Sequence, residues 1–262
     1  AGFIPHIVDS GFQVDFQVKF YRHRTSAIPA DGGNGPDSGN PNTNRVDEGI
    51  SQQIRNQKND EIPRLFAFSQ LLLSISGVDG RYGTTKTPAK FWAKWREEIF
   101  TEGHFNQIKS TPLSPDALNA LFAGKEQPIR RYFEALWSKP EFVTEQDRLL
   151  ISLLSPQRLL EFVRFFILFD KKLGKIAARY QQVFGIKALI ERINQRNAQG
   201  GREGGVIWHT TGSGKSFTMV YLCKALLMHP SLKDCRIVVV TDRIDLEKQL
   251  AKTFLSGGAF GS

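Results

Sequence analysis

Eight consecutive residues, His209-Thr210-Thr211-Gly212-Ser213-Gly214-Lys215-Ser216, carry the most specific chemistry in the chain. Two glycines one residue apart let a loop take positive φ and bring its backbone N–H groups close to an anion. The lysine and hydroxyl that follow have definite uses in such a loop: Lys215 reaches the β- and γ-phosphates of a nucleotide as a point charge, and the Ser216 hydroxyl ligates Mg²⁺. Thr211, Gly212, Ser213 and Gly214 form the cradle itself. The expected cofactors are therefore ATP and Mg²⁺. The strict form of this motif has glycine five residues before its last glycine, and here that position is His209.

A phosphate loop needs a strand to enter it and a helix to leave it. Gly204 to Trp208 is a short apolar run read as that strand. Beyond Ser216, the residues Phe217, Val220, Cys223, Leu226 and Leu227 share one side of a helix. The helix ends at His229-Pro230. Ile237-Val238-Val239-Val240 then reads as a second strand, buried on both faces, which completes a βαβ unit.

Upstream, Gly11 to Phe20 alternates apolar and polar residues as a half-buried strand does, and Arg22 to Asn44 has the Gly-, Pro- and Asn-rich composition of a linker. A helix is expected from Val46, with Asp47 and Glu48 in its first turn and Ile50 and Ile54 on one face. Pro63 opens a new element, and Leu65 to Ser76 reads as a core strand entered through a turn. Gly77 to Pro88 is turn-rich. Phe91, Trp92 and Trp95 form an aromatic stripe at helical spacing, which is core in character. Ser114-Pro115-Asp116 and Thr144-Glu145-Gln146-Asp147 are helix starts, with Leu118 to Trp137 amphipathic between them, and Ser155-Pro156 opens a helix over Leu159 to Phe169.

The chain has 262 residues and a formal charge of +9, a basic balance that favours polyanionic partners. Lys171 to Arg202 concentrates it, with eight basic residues against the single acid Glu191. Of the two cysteines, Cys223 sits inside an apolar helical run and Cys235 just before an apolar strand, so they suggest neither a disulfide nor a metal site. No stretch approaches the roughly 18 apolar residues of a membrane span, so a cytoplasmic protein is expected. The chain begins at Ala1 and ends at Ser262, 46 residues past Ser216, and it reads as a fragment.

Several strings beyond the loop are more specific than the loop itself. Ile54-Arg55-Asn56-Gln57, Ile62-Pro63-Arg64-Leu65-Phe66, Arg81-Tyr82-Gly83-Thr84, Thr87-Pro88-Ala89-Lys90-Phe91-Trp92, Leu168-Phe169-Asp170 and Gly204-Gly205-Val206-Ile207-Trp208-His209-Thr210 resemble the R (restriction and translocation) subunit of type I restriction-modification enzymes over roughly residues 46–262. The resemblance implies an ATP-dependent type I site-specific deoxyribonuclease. In such an enzyme a superfamily 2 motor pulls duplex DNA and is joined to an N-terminal nuclease, with modification and specificity subunits as partners.

It also implies roles for residues outside the loop. Arg179-Tyr180-Gln181-Gln182 resembles the adenine-reading Q motif, with Gln182 the reader. Thr241-Asp242-Arg243 resembles a motif whose polar residues touch the DNA backbone, which assigns Thr241 and Arg243 to DNA.

The nuclease half departs from the family. Its chemistry needs an Asp and a Glu-x-Lys on adjacent buried strands to hold Mg²⁺ and activate water, and the chain has no strand with that text. The register falls on Asp37-Ser38-Gly39 inside the linker, and Gln53 is followed by Gln57 where the family has tyrosine. Asp37 and Gln53 are the nearest approach to nuclease residues.

No Asp-Glu pair follows the loop either, so the chain is expected to bind nucleotide without turning it over. Two alternatives stand beside this reading: a non-catalytic relic that docks to the modification and specificity subunits, and a different superfamily 2 helicase. The expected fold is α/β: a degenerate nuclease-like region over 1–110, a helical linker over 111–170, and over 171–262 the first βαβ unit of a RecA-like P-loop domain.

Overall fold

A computed structural model of the chain describes residues 15–20, 45–138, 142–170, 174–202, 204–210, 212–232, 235–240 and 251. They form an α/β arrangement of helices around two small sheets.

In the first sheet β2 (Ser69–Ser76) is central. It lies parallel to β1 (Asp15–Phe20) and antiparallel to β3 (Asp79–Gly83). Leu71, Leu73 and Ile75 of β2 join the main core, whereas Leu72 packs on the opposite side with Val46, Ile50, Phe66 and Trp92. Burial on both faces explains why this strand shows no alternation in sequence. The turn expected before it is a 3₁₀ turn at Pro63–Phe66. The expected first helix is α1 (Arg45–Asn56), tied to the sheet where the Ser74 hydroxyl donates to the Val46 carbonyl at 2.7 Å.

The helical middle follows its capping signals. Thr101 opens α2 (Glu102–Ser110), Ser114 with Pro115 opens α3 (Pro115–Leu121), and a Thr144–Asp147 capping box opens α5 (Glu145–Leu154). The run expected as one amphipathic stretch from Leu118 to Trp137 is instead α3 and α4 (Gln127–Trp137), because Gly124 turns the chain at φ 70° between them. The helix expected over Leu159 to Phe169 is α6 (Pro156–Phe165) and stops early. Ile167–Asp170 forms β4, paired antiparallel with β5 (Gly174–Ala177), so ladder formation and burial of Ile167 and Leu168 override the helical period.

The aromatic stripe also resolves differently. Ala89–Phe91 is a 3₁₀ turn, and Ala93 exchanges backbone hydrogen bonds with Tyr82 at 2.9 Å in each direction, so the segment is not helical. Trp92 and Trp95 are buried, but Phe91 is not.

The βαβ unit expected around the phosphate loop is present only as its helix, α8 (Lys215–Met228). Residues 204–208 and 237–240 take no ladder partner among the described residues, and Val206, Trp208 and Val240 are almost fully exposed. A parallel strand draws its hydrogen bonds wholly from its neighbours, and none lies beside these runs here.

The main core joins distant segments: Tyr82 and Trp95, Leu149 and Leu153 of α5, Leu159 and Phe162 of α6, Val183 and Ile186 of α7 (Tyr180–Asn194), and Val220 and Tyr221 of α8. Cys223 and Cys235 are free thiols, and burial pushes Cys223 up to about 11, which leaves it unreactive. No described helix is long and apolar enough to cross a membrane.

Within this core Arg158 meets Glu97 at 3.0 Å, both side chains being about 5% exposed or less. The guanidinium also lies over Trp95, Phe100 and Phe184 at 5.2–5.5 Å from their centroids. Burial works against a charged Glu97, but hydrogen bonds from Trp95, Arg158 and the Ile99 N–H outweigh it and hold the carboxyl below its usual range. Because the folded pKa is depressed, this stabilisation is present above the ordinary carboxylate value of about 4.3 and is lost as pH falls through the lowered one. Urea unfolding from pH 6 downward is expected to show a weaker acid-side slope for Glu97→Gln than for the unaltered chain. Arg158→Leu, which strands a buried carboxylate, is expected to destabilise at pH 7 by about 3 kcal/mol or more.

Candidate nucleotide site

The loop between residue 208 and α8 takes the conformation its glycines permit. Gly212 has φ 80° and Gly214 φ 88°, and Gly214 is the N-cap of α8. A Cβ at Gly214 would sit 3.2 Å from the Gln182 amide nitrogen, a tight contact that adds to the demand for glycine made by the backbone angle. The Ser213 N–H donates to the Thr210 carbonyl at 3.3 Å, and the N-terminus of a 14-residue helix opens directly after Gly214. Lys215 is exposed, and its ammonium donates to the His209 carbonyl at 3.2 Å. Ser216 is half-buried in the first turn. The Ser213 hydroxyl is buried with no hydrogen-bond partner.

Gln182 lies at the start of α7 and reaches this loop. Its amide nitrogen donates to the Gly214 carbonyl at 3.2 Å and to the Thr218 hydroxyl at 3.1 Å, while its carbonyl oxygen accepts from the Arg179 N–H at 2.8 Å. Both N–H donors are thus engaged, and one acceptor lone pair of the oxygen remains.

Loop and α7 border a cavity of about 450 Å³. Gly212, Ser213, Gly214 and Phe217 line one part of it, Lys175 to Ala177 of β5 with Arg179 and Gln182 a second, and Tyr82, Lys86, Pro88 and Phe91 a third. Lys86, Lys175 and Arg179 bring positive charge, and among the described residues no carboxylate lines the cavity. Burial lowers the pKa of Lys175, whose ammonium donates to the Ser69 carbonyl at 2.6 Å.

These residues fit a triphosphate. A helix N-terminus, an unpartnered buried hydroxyl and several cations meet here, and no acid lines the cavity among the described residues. No group of described His, Cys, Asp or Glu side chains could hold a metal alone; beside the loop, the Ser216 hydroxyl is the group that would hold Mg²⁺ together with phosphate oxygens.

The other expected site residues are placed elsewhere or lie outside the described residues. Gln53 donates to the Leu73 carbonyl at 2.7 Å, and its oxygen is buried without a partner. Gln57 donates to the Gln53 carbonyl and accepts from the Lys86 N–H at 2.7 Å. Thr211, Asp37, Thr241 and Arg243 lie outside the described residues. The sequence reading did not anticipate the cavity wall formed by Tyr82, Lys86, Phe91 and Lys175. Its one signal was the cluster of small and turn-forming residues over Gly83 to Pro88.

A glycine loop before α8 and the glutamine-bearing start of α7 meet at this cavity, and comparison with known proteins gives the family. Residues 181–260 match the SWI2/SNF2 ATPase model, and residues 38–91 match the type I restriction enzyme R protein N terminus. The chain is 34% identical over 204 residues to the type I restriction enzyme HindI endonuclease subunit of Haemophilus influenzae, covering 76% of this chain and 16% of that one. It is 38% identical over 210 residues to the putative type I restriction enzyme MjaVIIP endonuclease subunit of Methanocaldococcus jannaschii, covering 77% of this chain and again 16% of the relative. The chain belongs to the family of type I restriction enzyme R subunits. It spans about a sixth of the length of these curated relatives.

Gln182 is the one side chain that hydrogen-bonds both the start of α7 and the start of α8. Gln182→Leu is expected to destabilise the chain by about 1–3 kcal/mol, since it leaves buried partners unsatisfied. Hydrogen exchange at the Thr218 amide should accelerate more than at β2, which thermal unfolding with site-resolved exchange would measure.

Proposed function

We propose that this chain supplies the ATP-binding site of a type I restriction R subunit, whose whole enzyme translocates and cleaves duplex DNA together with modification and specificity subunits in the cytoplasm. The observation that carries the reading is the pair of left-handed glycines, Gly212 and Gly214, opening α8 beside a cavity with no acid among its described lining residues, which Gln182 also reaches. In this reading residues 204–240 are the loop-bearing part of a RecA-like lobe, residues 1–110 descend from the nuclease domain, and residues 111–170 are the helical linker. Thr211, Gly212, Ser213 and Gly214 wrap the phosphates, Lys215 neutralises their charge, and Ser216 holds Mg²⁺. The free acceptor lone pair of Gln182 receives the exocyclic amino group of adenine, which guanine lacks at that position. Thr241 and Arg243 contact the DNA backbone, where the basic run Lys171 to Arg202 adds attraction. Gln53 is tied to the Leu73 carbonyl of β2 and Asp37 lies outside the described residues, so neither is assigned a part in cleavage.

Hydrolysis in this class draws on an acidic pair beyond the loop and on arginines from a second lobe, and the role assigned to residues 1–262 is binding. Calorimetric titration with Mg·ATP is expected to show binding by the unaltered chain, weakened roughly tenfold or more by Lys215→Ala, the scale of a hydrogen bond to a charged group. Equal affinity in the two would overturn the assignment. Phosphate release with duplex DNA present is expected to stay at background, and turnover that Lys215→Ala abolishes would refute the binding-only role.

A further inference from the structure

The cavity wall formed by residues 82–93 lies outside the stretch that matches the ATPase model and within or beside the stretch that matches the R protein N terminus. Its large rings are not equivalent. Tyr82 is fully buried, and its hydroxyl is committed to the Ala178 carbonyl at 2.7 Å. Tyr221, on the α8 side, is likewise buried and donates to the Ile176 carbonyl at 2.8 Å. Phe217 packs against the main core. Phe91 alone among these rings is more than half exposed, at 52%, and it packs in neither of the hydrophobic clusters formed by the described residues.

Phe91 is nevertheless held firmly. Its N–H donates to the Pro88 carbonyl at 2.9 Å, and its neighbour Trp92 is buried with the indole N–H donating to Thr87 at 3.1 Å. The Lys90 ammonium stands 5.0 Å over the Phe91 ring. A fixed, exposed aromatic ring gains nothing from water. Here it lines the same cavity as the phosphate loop and three cations. The ligand chemistry that suits a flat apolar surface next to concentrated positive charge is a planar heterocycle joined to an anion.

We propose that Phe91 is the platform on which the nucleotide base stacks, so that the base is held from the N-terminal region while the phosphates are held by the loop before α8. The proposal rests on the nucleotide reading above and adds to it a residue from a different part of the chain.

Two ligands separate the two readings: Mg·ATP, which has a base, and Mg·tripolyphosphate, which does not. In calorimetric titrations of the full chain, Phe91→Ala is expected to weaken ATP binding about tenfold, within the range of one base stacked on one aromatic ring, and to leave tripolyphosphate binding unchanged. Phe91→Trp is expected to retain or tighten ATP binding, which excludes a folding defect as the cause. Lys215→Ala is expected to weaken both ligands. Unchanged ATP affinity in Phe91→Ala, or equal losses for both ligands, would overturn the stacking role while leaving the loop assignment intact. Absence of binding by either ligand to the unaltered chain would overturn both.

Discussion

The hydroxyl of Tyr82 and the carbonyl of Ala178 are 96 residues apart in sequence and 2.7 Å apart in space, and much of the site depends on that bond. The ring is buried among Trp95 and Phe162, so the hydroxyl has no access to water and must find an acceptor inside the protein. Burial drives its pKa far above that of an ordinary phenol, so it remains a donor at any workable pH. Ala178 immediately precedes Arg179, the N-cap of α7. Fixing that carbonyl fixes where α7 starts, hence where Gln182 lies, hence what can stand at Gly214. Two further hydroxyls hold the same strand: Thr84 donates to the Lys175 carbonyl at 2.7 Å and Tyr221 to that of Ile176. The position of the phosphate loop is in this sense set from β3, more than a hundred residues upstream.

The Arg158–Glu97 pair plays a complementary part in the same core. A buried ion pair gains little net stability over apolar replacement, because desolvation offsets the attraction. It does restrict which arrangement is tolerated. Arg158 must lie where a carboxylate and several ring faces meet, and those come from the segment after β3 and from α7. Any slippage of α6 against them would leave a charge unpaired in an apolar setting. The pair thus favours one packing of the helical middle on the sheet, the same packing that brings Tyr82 to Ala178.

What could be read from the sequence was what neighbouring residues decide among themselves. The caps at Ser114 and Thr144, the start of α1 and the glycine loop before α8 are settled within a few residues, and each formed where its signal stood. The runs 204–208 and 237–240 carry strand composition, but a strand is a relation between segments, and no described segment pairs with them. Phe91 was legible as aromatic and not as exposed, since a spacing of one and four residues looks alike on a helix and on a 3₁₀ turn that leads into a bridge. Gln53 and Gln57 read as a damaged catalytic pair. In the fold their amides tie α1 to β2 and to Lys86, a use that no local pattern reveals.

Backbone strain follows the same geography. Lys86 is the one non-glycine residue with positive φ among the described residues, at 65°, and it lines the cavity together with Gly212 and Gly214, whose φ values are also positive. A left-handed lysine is unfavourable by itself, and here the Gln57 carbonyl oxygen accepts its N–H at 2.7 Å while its side chain lies close to Gly174, another left-handed residue. Strain of this kind persists where surrounding structure over-determines it, and it gathers at ligand sites. The two walls of the cavity are therefore prepared by different means: glycine makes positive φ cheap on the loop side, and Gln57, just past the end of α1, supports it on the other. Both walls take these conformations within the chain itself, and a site that is already formed spends less of its binding free energy on ordering the protein.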